Sequence, residues 1–202
     1  MVQMKEVRTR FAPSPTGWLH IGGVRTALFE ILFAHHHGGQ ALLRIDDTDR
    51  ERLVPGAIKG LIEDLRWVGL HFDEGPSEEE IARVDEGGSA SGLGIGGPCQ
   101  PYVQSLRAAR YREVAEELIA KGFAYRCDCT PERLQQEREE QTARKEMVGY
   151  SGYCRERQVL AGVPHVVRFR IPENRVVTLP DAVKGEVRWE QVGYSGYCRE
   201  RQ

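Results

Sequence analysis

No stretch of this 202-residue chain approaches the roughly 20 consecutive apolar residues that a membrane-spanning helix needs, and residues 1–10 lack the apolar core of a signal peptide. Both absences predict a cytoplasmic protein with no membrane partner. Cysteine is scarce, at five residues, and in a cytosolic setting such residues serve more often as metal ligands than as disulfides. There is also no strong excess of one charge, since 28 Lys and Arg stand against 30 Asp and Glu. With 40% hydrophobic residues, the chain is long enough to bury a core as one large domain or as a domain with an insertion.

The near-neutral total hides an asymmetry. Residues 1–120 carry 13 basic against 18 acidic side chains, whereas residues 121–175 carry 11 against 8. Arg133, Arg138, Arg144, Lys145, Arg155, Arg157, Arg168 and Arg170 collect in that middle segment, the place where an RNA partner would be touched. Glu137, Glu139 and Glu140 interleave with them, as on a solvated helix face, so both readings stand.

The most informative stretch is residues 10–23, R-F-A-P-S-P-T-G-W-L-H-I-G-G. A strand over residues 6–12 runs into a loop punctuated by Pro13, Pro15 and Gly17, and a helix is expected to open after Gly23. Glycines at a helix mouth let backbone approach a ligand, and the unpaired N–H groups of a first turn favour an anion. His20 would add a side-chain donor. Farther on, Ala27, Leu28, Ile31 and Leu32 recur at helical spacing, with Gly38 and Gly39 as the stop. A strand over 41–45 follows, then a helix entered at Pro55 with Ile58, Leu61, Ile62, Leu65 and Val68 as its apolar stripe, ending near Gly69. Strand, helix, strand, helix predicts a parallel sheet with crossover helices, an α/β nucleotide-binding fold.

Residues 85–98 are glycine-rich and predict a flexible, disordered loop too poor in side chains to build a core. An amphipathic helix is expected over 106–120, through Ala109, Val114, Leu118 and Ile119. Beyond it, Thr130 caps a charged helix with Pro131 in its first turn, and residues 166–171 alternate as a strand. Residues 148–158 and 192–202 are identical, V-G-Y-S-G-Y-C-R-E-R-Q. Two copies without similarity between them do not make a solenoid. The second copy is expected to be a duplicated tail of uncertain status, in a chain that stops before its fold is complete.

The motif at residues 10–23 resembles the first signature of class I aminoacyl-tRNA synthetases in its glutamyl form. R-I-D-D-T-D-R at 44–50, L-R-W-V-G-L-H-F-D-E-G-P at 65–76, Y-R-C-D-C-T-P-E-R-L at 125–134 and P-H-V-V-R-F-R-I-P at 164–172 continue the resemblance in order. It implies an incomplete Rossmann-like parallel sheet over 1–120, an inserted α+β acceptor-binding domain over 121–191 and the tail at 192–202. It also implies ATP-dependent attachment of glutamate to tRNA(Glu) by a monomer using ATP with Mg²⁺. A carboxylate attacks the α-phosphate of ATP, then a tRNA ribose hydroxyl takes the acyl group, so the protein supplies positioning and charge stabilisation.

By position in the motifs, His20, Gly22 and Gly23 contact ATP, with His20 and Gly22 at the reacting phosphates. Arg10 would pair with the substrate side-chain carboxylate, Ala12 and Ser14 would hydrogen-bond the substrate, and Asp46 would hold its ammonium group; the family's usual residue at Asp46 is Glu, one methylene longer. A histidine before a helix is otherwise a capping or surface residue, Arg10 a surface charge, and His35, His36 and His37 a structural complement to a helix C-terminus.

Cys127-x-Cys129 followed by Cys154-x-Glu156 resembles the zinc spacing of some glutamyl enzymes. Glu156 is the expected fourth ligand, with Tyr150 as the alternative, matching a tyrosine ligand of the glutamyl-queuosine enzymes; unremarkable thiols are the plainer reading. Two alternatives to the ligase remain: a glutamyl-queuosine tRNA(Asp) synthetase, and an inactive zinc- or RNA-binding fragment, since no lysine-rich second signature of the K-M-S-K-S type is present.

Overall fold

The computed structural model describes residues 7–85, 90–172, 176–181, 183–191 and 198–200. The chain divides into two compact units, residues 1–111 and 112–202. This division falls within the α-helix Ala108–Ala120.

In the first unit, β1 (Arg8–Phe11) pairs in parallel with β2 (Gln40–Leu43), from Arg8↔Gln40 to Phe11↔Leu43. Parallel neighbours need a crossover, and α1 (Ile21–His36) supplies it. The helix buries Ala27, Ile31 and Ala34, whereas Leu28 and Leu32 remain exposed, so the inner stripe is narrower than the sequence pattern predicts. The parallel layer is extended by single bridges, Leu42 to Glu74 and Ile45 to Val103. The result is an α/β unit with a small parallel sheet.

Helix α2 (Ala57–Trp67) sets Ile58, Leu61, Ile62 and Leu65 into the main core with Phe11, Leu43 and Ile45. Pro55 lies outside its first turn, because Gly56 occupies the N-cap with a positive φ of 79°. A short α3 (Glu78–Val84) starts at a reciprocal cap between Ser77 and Glu80.

Residues 90–98 are not the core-free loop that their composition predicts. Ala90 and Leu93 are buried in the main core and Ile95 packs against it; residues 86–89 lie outside the described residues. A side chain on a distant helix makes the difference. Arg66 of α2 donates to the carbonyls of Gly92, Leu93 (3.0 Å) and Gly94 (3.4 Å), while Gly92 N–H donates to Glu78 Oε1 at 2.6 Å. Carbonyls that a flexible loop would leave to water are thereby paired.

After a 3₁₀ turn at Gln104–Arg107, α4 (Ala108–Ala120) begins two residues later than expected, with Val114, Leu118 and Ile119 only half-buried and Ala109 exposed. In the second unit, β3 (Ala124–Cys127) pairs antiparallel with β4 (Val166–Phe169). Between them runs α5 (Pro131–Ala143), whose Thr130 hydroxyl accepts from Arg133 N–H at 3.3 Å. A separate antiparallel sheet joins β5 (Val176–Asp181), β6 (Gly185–Gln191) and β7 (Cys198–Glu200) in that order. The repeated tail is thus continuous with this sheet over three residues; the rest of 192–202 lies outside the described residues. No described helix is long and apolar enough to cross a membrane.

Candidate functional site

An open cleft of about 640 Å³ lies where the chain leaves β1 and enters α1, lined among others by Phe11, Ser14, Trp18, His20, Gly22 and Gly23. It stands beyond the carboxyl end of a parallel strand, the place where open α/β sheets bind ligands. Backbone bonds hold the loop there: Arg44 N–H donates to Phe11 O (2.9 Å), Asp46 N–H to Pro13 O (3.0 Å) and Val54 N–H to Pro15 O (3.1 Å).

The helix begins at Ile21 and not after Gly23, because His20 is its N-cap. His20 Nδ1 accepts the Gly22 N–H at 3.1 Å, and the His20 carbonyl accepts the Gly23 N–H at 2.8 Å. The ring expected as a donor is therefore an acceptor at Nδ1, which leaves the proton of a neutral imidazole on Nε2. Two first-turn N–H groups expected to be open are already engaged by His20. Gly22 is required by this arrangement, since a Cβ there would lie 2.8 Å from His20 Cε1.

Arg10 is exposed on β1, and no hydrogen bond or ion pair engages its side chain among the described residues. Ser14 is an exposed residue of the cleft, and Ala12 is half-buried beside it in sequence. Asp46, expected to hold an ammonium group, is paired within the protein. Its two oxygens accept from Arg44 Nε (2.6 Å) and Nη2 (2.8 Å), a bidentate pair that raises the Arg44 pKa. An incoming ammonium group has to compete with that guanidinium.

Trp18, Thr26 and Leu61 also line the cleft and were not singled out by the motif. Trp18 is 68% exposed and lies on Gly60 of α2, where a Cβ would come within 2.4 Å of the indole Cζ3. A glycine inside a helix costs roughly 1 kcal/mol against alanine, so its presence in the α2 stripe is the signal that could have found this contact. Of the histidines at the end of α1, His35 is tied into the fold: its Nε2 lies 2.9 Å from Asp73 Oδ2, which also accepts the Ala41 N–H.

The second unit gathers the cysteines. The Sγ atoms of Cys127, Cys129 and Cys154 lie within 4.8 Å of one another, with 3.5 Å between Cys129 and Cys154. Cys127 and Cys154 are buried in a small core with Tyr125. Tyr150 Oη lies 3.4 Å from Cys127 Sγ and 3.9 Å from Cys129 Sγ, and it accepts the Cys154 N–H at 2.8 Å. Glu156, the expected fourth ligand, is turned away: it is largely exposed and its carboxylate accepts from Arg170 Nη1 at 2.6 Å. Three soft sulfur donors and one oxygen at this spacing fit a tetrahedral divalent metal.

The thiols are electrostatically unequal. Burial opposes ionisation of Cys127, but the neighbouring Tyr150 hydroxyl and Arg168 guanidinium outweigh it and bring the thiol down to about 7. Burial and the adjoining thiols of Cys154 and Cys127 push Cys129 up to about 11. Burial and the Cys127 contact also raise the Tyr150 phenol.

Residues 6–196 match the family model described as tRNA synthetases class I (E and Q), catalytic domain. A glutamate–tRNA ligase of Legionella pneumophila (strain Lens) is 46% identical over 182 residues, covering 90% of this chain and 33% of that protein. One from Finegoldia magna is 45% identical over 193 residues, covering 91% and 38%. Among solved structures, a glutamate tRNA ligase from Elizabethkingia meningosepticum in complex with its amino acid superposes with a TM-score of 0.74 at 38% identity, covering 91% of this chain and 36% of that one. The chain spans about a third of the length of these relatives.

Proposed function

This chain belongs to the class I tRNA synthetases of the glutamate and glutamine type, and from that membership we propose that it forms the ATP- and glutamate-binding part of a glutamate–tRNA ligase. The observation that carries the reading is the cleft at the head of α1, where His20, with Nδ1 committed to the cap and Nε2 left to donate, stands beside two bare glycines. Polyphosphate would lie against Gly22 and Gly23, whose bare backbone allows close approach, with His20 Nε2 donating to an oxygen that gains charge as the carboxylate attacks the α-phosphate. Arg10, unpaired among the described residues, would take the side-chain carboxylate of glutamate with its planar fork of donors. Ser14 and the Ala12 backbone would align the substrate, and Asp46 would share its charge between Arg44 and the ammonium group. Mg²⁺ would arrive with ATP.

The second unit is read as the inserted domain that meets the tRNA acceptor end. Its arginines support this: Arg133 and Arg157 lie over the Tyr153 ring with Cζ at 3.6 and 4.7 Å from the centroid, a half-exposed stacking surface of the kind that RNA uses. Cys127, Cys129, Cys154 and Tyr150 would hold zinc, which when bound ties β3 to the segment before β4. Tyr150 in place of Glu156 is also the arrangement that favours the glutamyl-queuosine tRNA(Asp) reading, and charging of tRNA(Glu) against tRNA(Asp) separates the two.

Calorimetric titration of the chain with Mg²⁺–ATP and with glutamate tests the site. His20→Ala is expected to weaken ATP by tenfold or more and spare glutamate, since a hydrogen bond to a charged group is worth about 1.5–3 kcal/mol. Arg10→Ala is expected to do the reverse, at a cost of about 2–3 kcal/mol for a stranded carboxylate. Equal losses of both ligands in both variants would overturn these roles.

A further inference from the structure

Two arginines touch the thiol cluster from different elements. Arg157, three residues after Cys154, places Nη1 3.6 Å from Cys154 Sγ and donates to Asp128 Oδ1 at 3.1 Å. That same Asp128 oxygen lies 3.2 Å from Cys154 Sγ. Arg168, on β4 opposite Tyr125, lies over the Tyr150 ring with Cζ 3.9 Å from its centroid, and Tyr150 Oη in turn lies 3.4 Å from Cys127 Sγ. Its Nε is buried with no hydrogen-bond partner, so its placement is not explained by satisfaction of its own donors.

Charge accounts for both positions. A metal held by three cysteines is held by three thiolates, whose charge exceeds that of a divalent cation. Here a carboxylate stands 3.2 Å from one of those sulfurs, and close like charges in a half-buried site repel strongly. Asp128 and a Cys154 thiolate can coexist only if a cation is shared between them, and Arg157 bridges both. At the other sulfur, the planar Arg168 guanidinium lies over the Tyr150 phenol whose oxygen faces Cys127, a stacked contact that a lysine's point charge does not reproduce.

We propose that Arg157 and Arg168 are positioning residues of a metal centre formed by Cys127, Cys129, Cys154 and Tyr150: Arg157 neutralises the Asp128–Cys154 pair, and Arg168 holds Tyr150 Oη against Cys127 as the fourth donor. The proposal rests on the metal reading above and goes beyond it, because it assigns to two residues outside the ligand set both the affinity of the site and the identity of its fourth ligand. Outer-shell partners of this kind typically change metal affinity by 10–100-fold.

The structure supplies an internal control. Arg25 lies over the Phe29 ring with Cζ 5.5 Å from its centroid, both residues belong to α1, and neither is among the groups found against the sulfurs. Arg25→Met therefore removes an arginine–aromatic stack without touching the cluster. The experiment loads the purified chain with zinc, measures affinity by competition with a chromophoric chelator, and records the absorption of the cobalt(II) form, with circular dichroism confirming that each variant is folded. Arg157→Met and Arg168→Met are expected to lose 10–100-fold in zinc affinity, while Arg25→Met matches the parent. Arg168→Met should in addition shift the cobalt bands as Tyr150→Phe does, and Arg168→Lys should recover affinity in part without recovering the bands. Parental affinity and parental bands in folded Arg168→Met and Arg157→Met would overturn the proposal and leave the metal reading intact. No zinc bound by the parent would overturn both.

Discussion

Asp85 closes the N-terminus of α2 from beyond the end of α3, accepting the Gly56 N–H at 2.6 Å on Oδ1 and the Lys59 N–H at 2.9 Å on Oδ2. Gly56 has no side chain with which to cap the helix itself, so a buried carboxylate from the next helix provides both acceptors. Asp85→Ala is expected to lower stability by about 1–2 kcal/mol, the usual value of a lost cap. Asp85→Asn keeps one acceptor and should lose less. Denaturant melts of the three proteins check the order, and an alanine variant as stable as the parent would refute it.

Arg66 is predicted to control the order of the glycine-rich segment. Removal of its guanidinium frees the carbonyls of Gly92, Leu93 and Gly94 together. In Arg66→Ala, amide exchange over residues 92–96 should accelerate well before exchange in α2, because the segment then opens locally while the helix stays formed. Unchanged exchange there would mean that Leu93 and Ile95 hold the segment by packing alone.

Much of this fold was legible beforehand because its signals are local. Thr130 followed by Pro131, the Gly38 stop and the Ile58-to-Leu65 stripe each act within one helix. What was not legible depends on partners distant in sequence: the clamp from Arg66, the cap from Asp85, and the pairing of Glu156 with Arg170 that leaves Tyr150 nearest the thiols. At the cleft, the motif marked His20 and the glycines but misplaced the helix start. Whether a histidine before a helix donates outward or caps inward is decided by the ring's orientation, which spacing does not encode.

Gly60→Ala is predicted to act on the cleft without harming the fold. The added methyl would meet the Trp18 indole at 2.4 Å, and an exposed ring is free to swing away, while alanine gains about 1 kcal/mol in helix propensity. Stability should equal or exceed that of the parent while Trp18 fluorescence becomes more readily quenched and ATP binding weakens. A variant with unchanged quenching would place the indole elsewhere.

Acid should loosen the end of α1. Burial raises the Asp73 pKa, but the Ala41 N–H and His35 more than offset it, so the carboxyl ionises below the usual range. A carboxyl whose folded pKa is depressed stabilises the protein above its unfolded value near 3.9 and loses that contribution as pH falls through the folded value. The pair is part-exposed, so the loss is expected to be at most about 1 kcal/mol. Asp73→Asn should flatten the stability profile below pH 4, and an unaltered profile would show the pair to be inert.

On the proposed reading of the cleft, the bond between His20 and Gly22 keeps one N–H of the first turn of α1 occupied by the protein itself. An anion with a single point of attachment, such as sulfate or free phosphate, would gain that N–H only by forfeiting the bond already there. A larger guest that leans on the bare glycines and takes its hydrogen bond from the outer nitrogen of the ring would need no such exchange. The turn would then act as a threshold, raised against stray anions and low for a ligand that grips in several places at once.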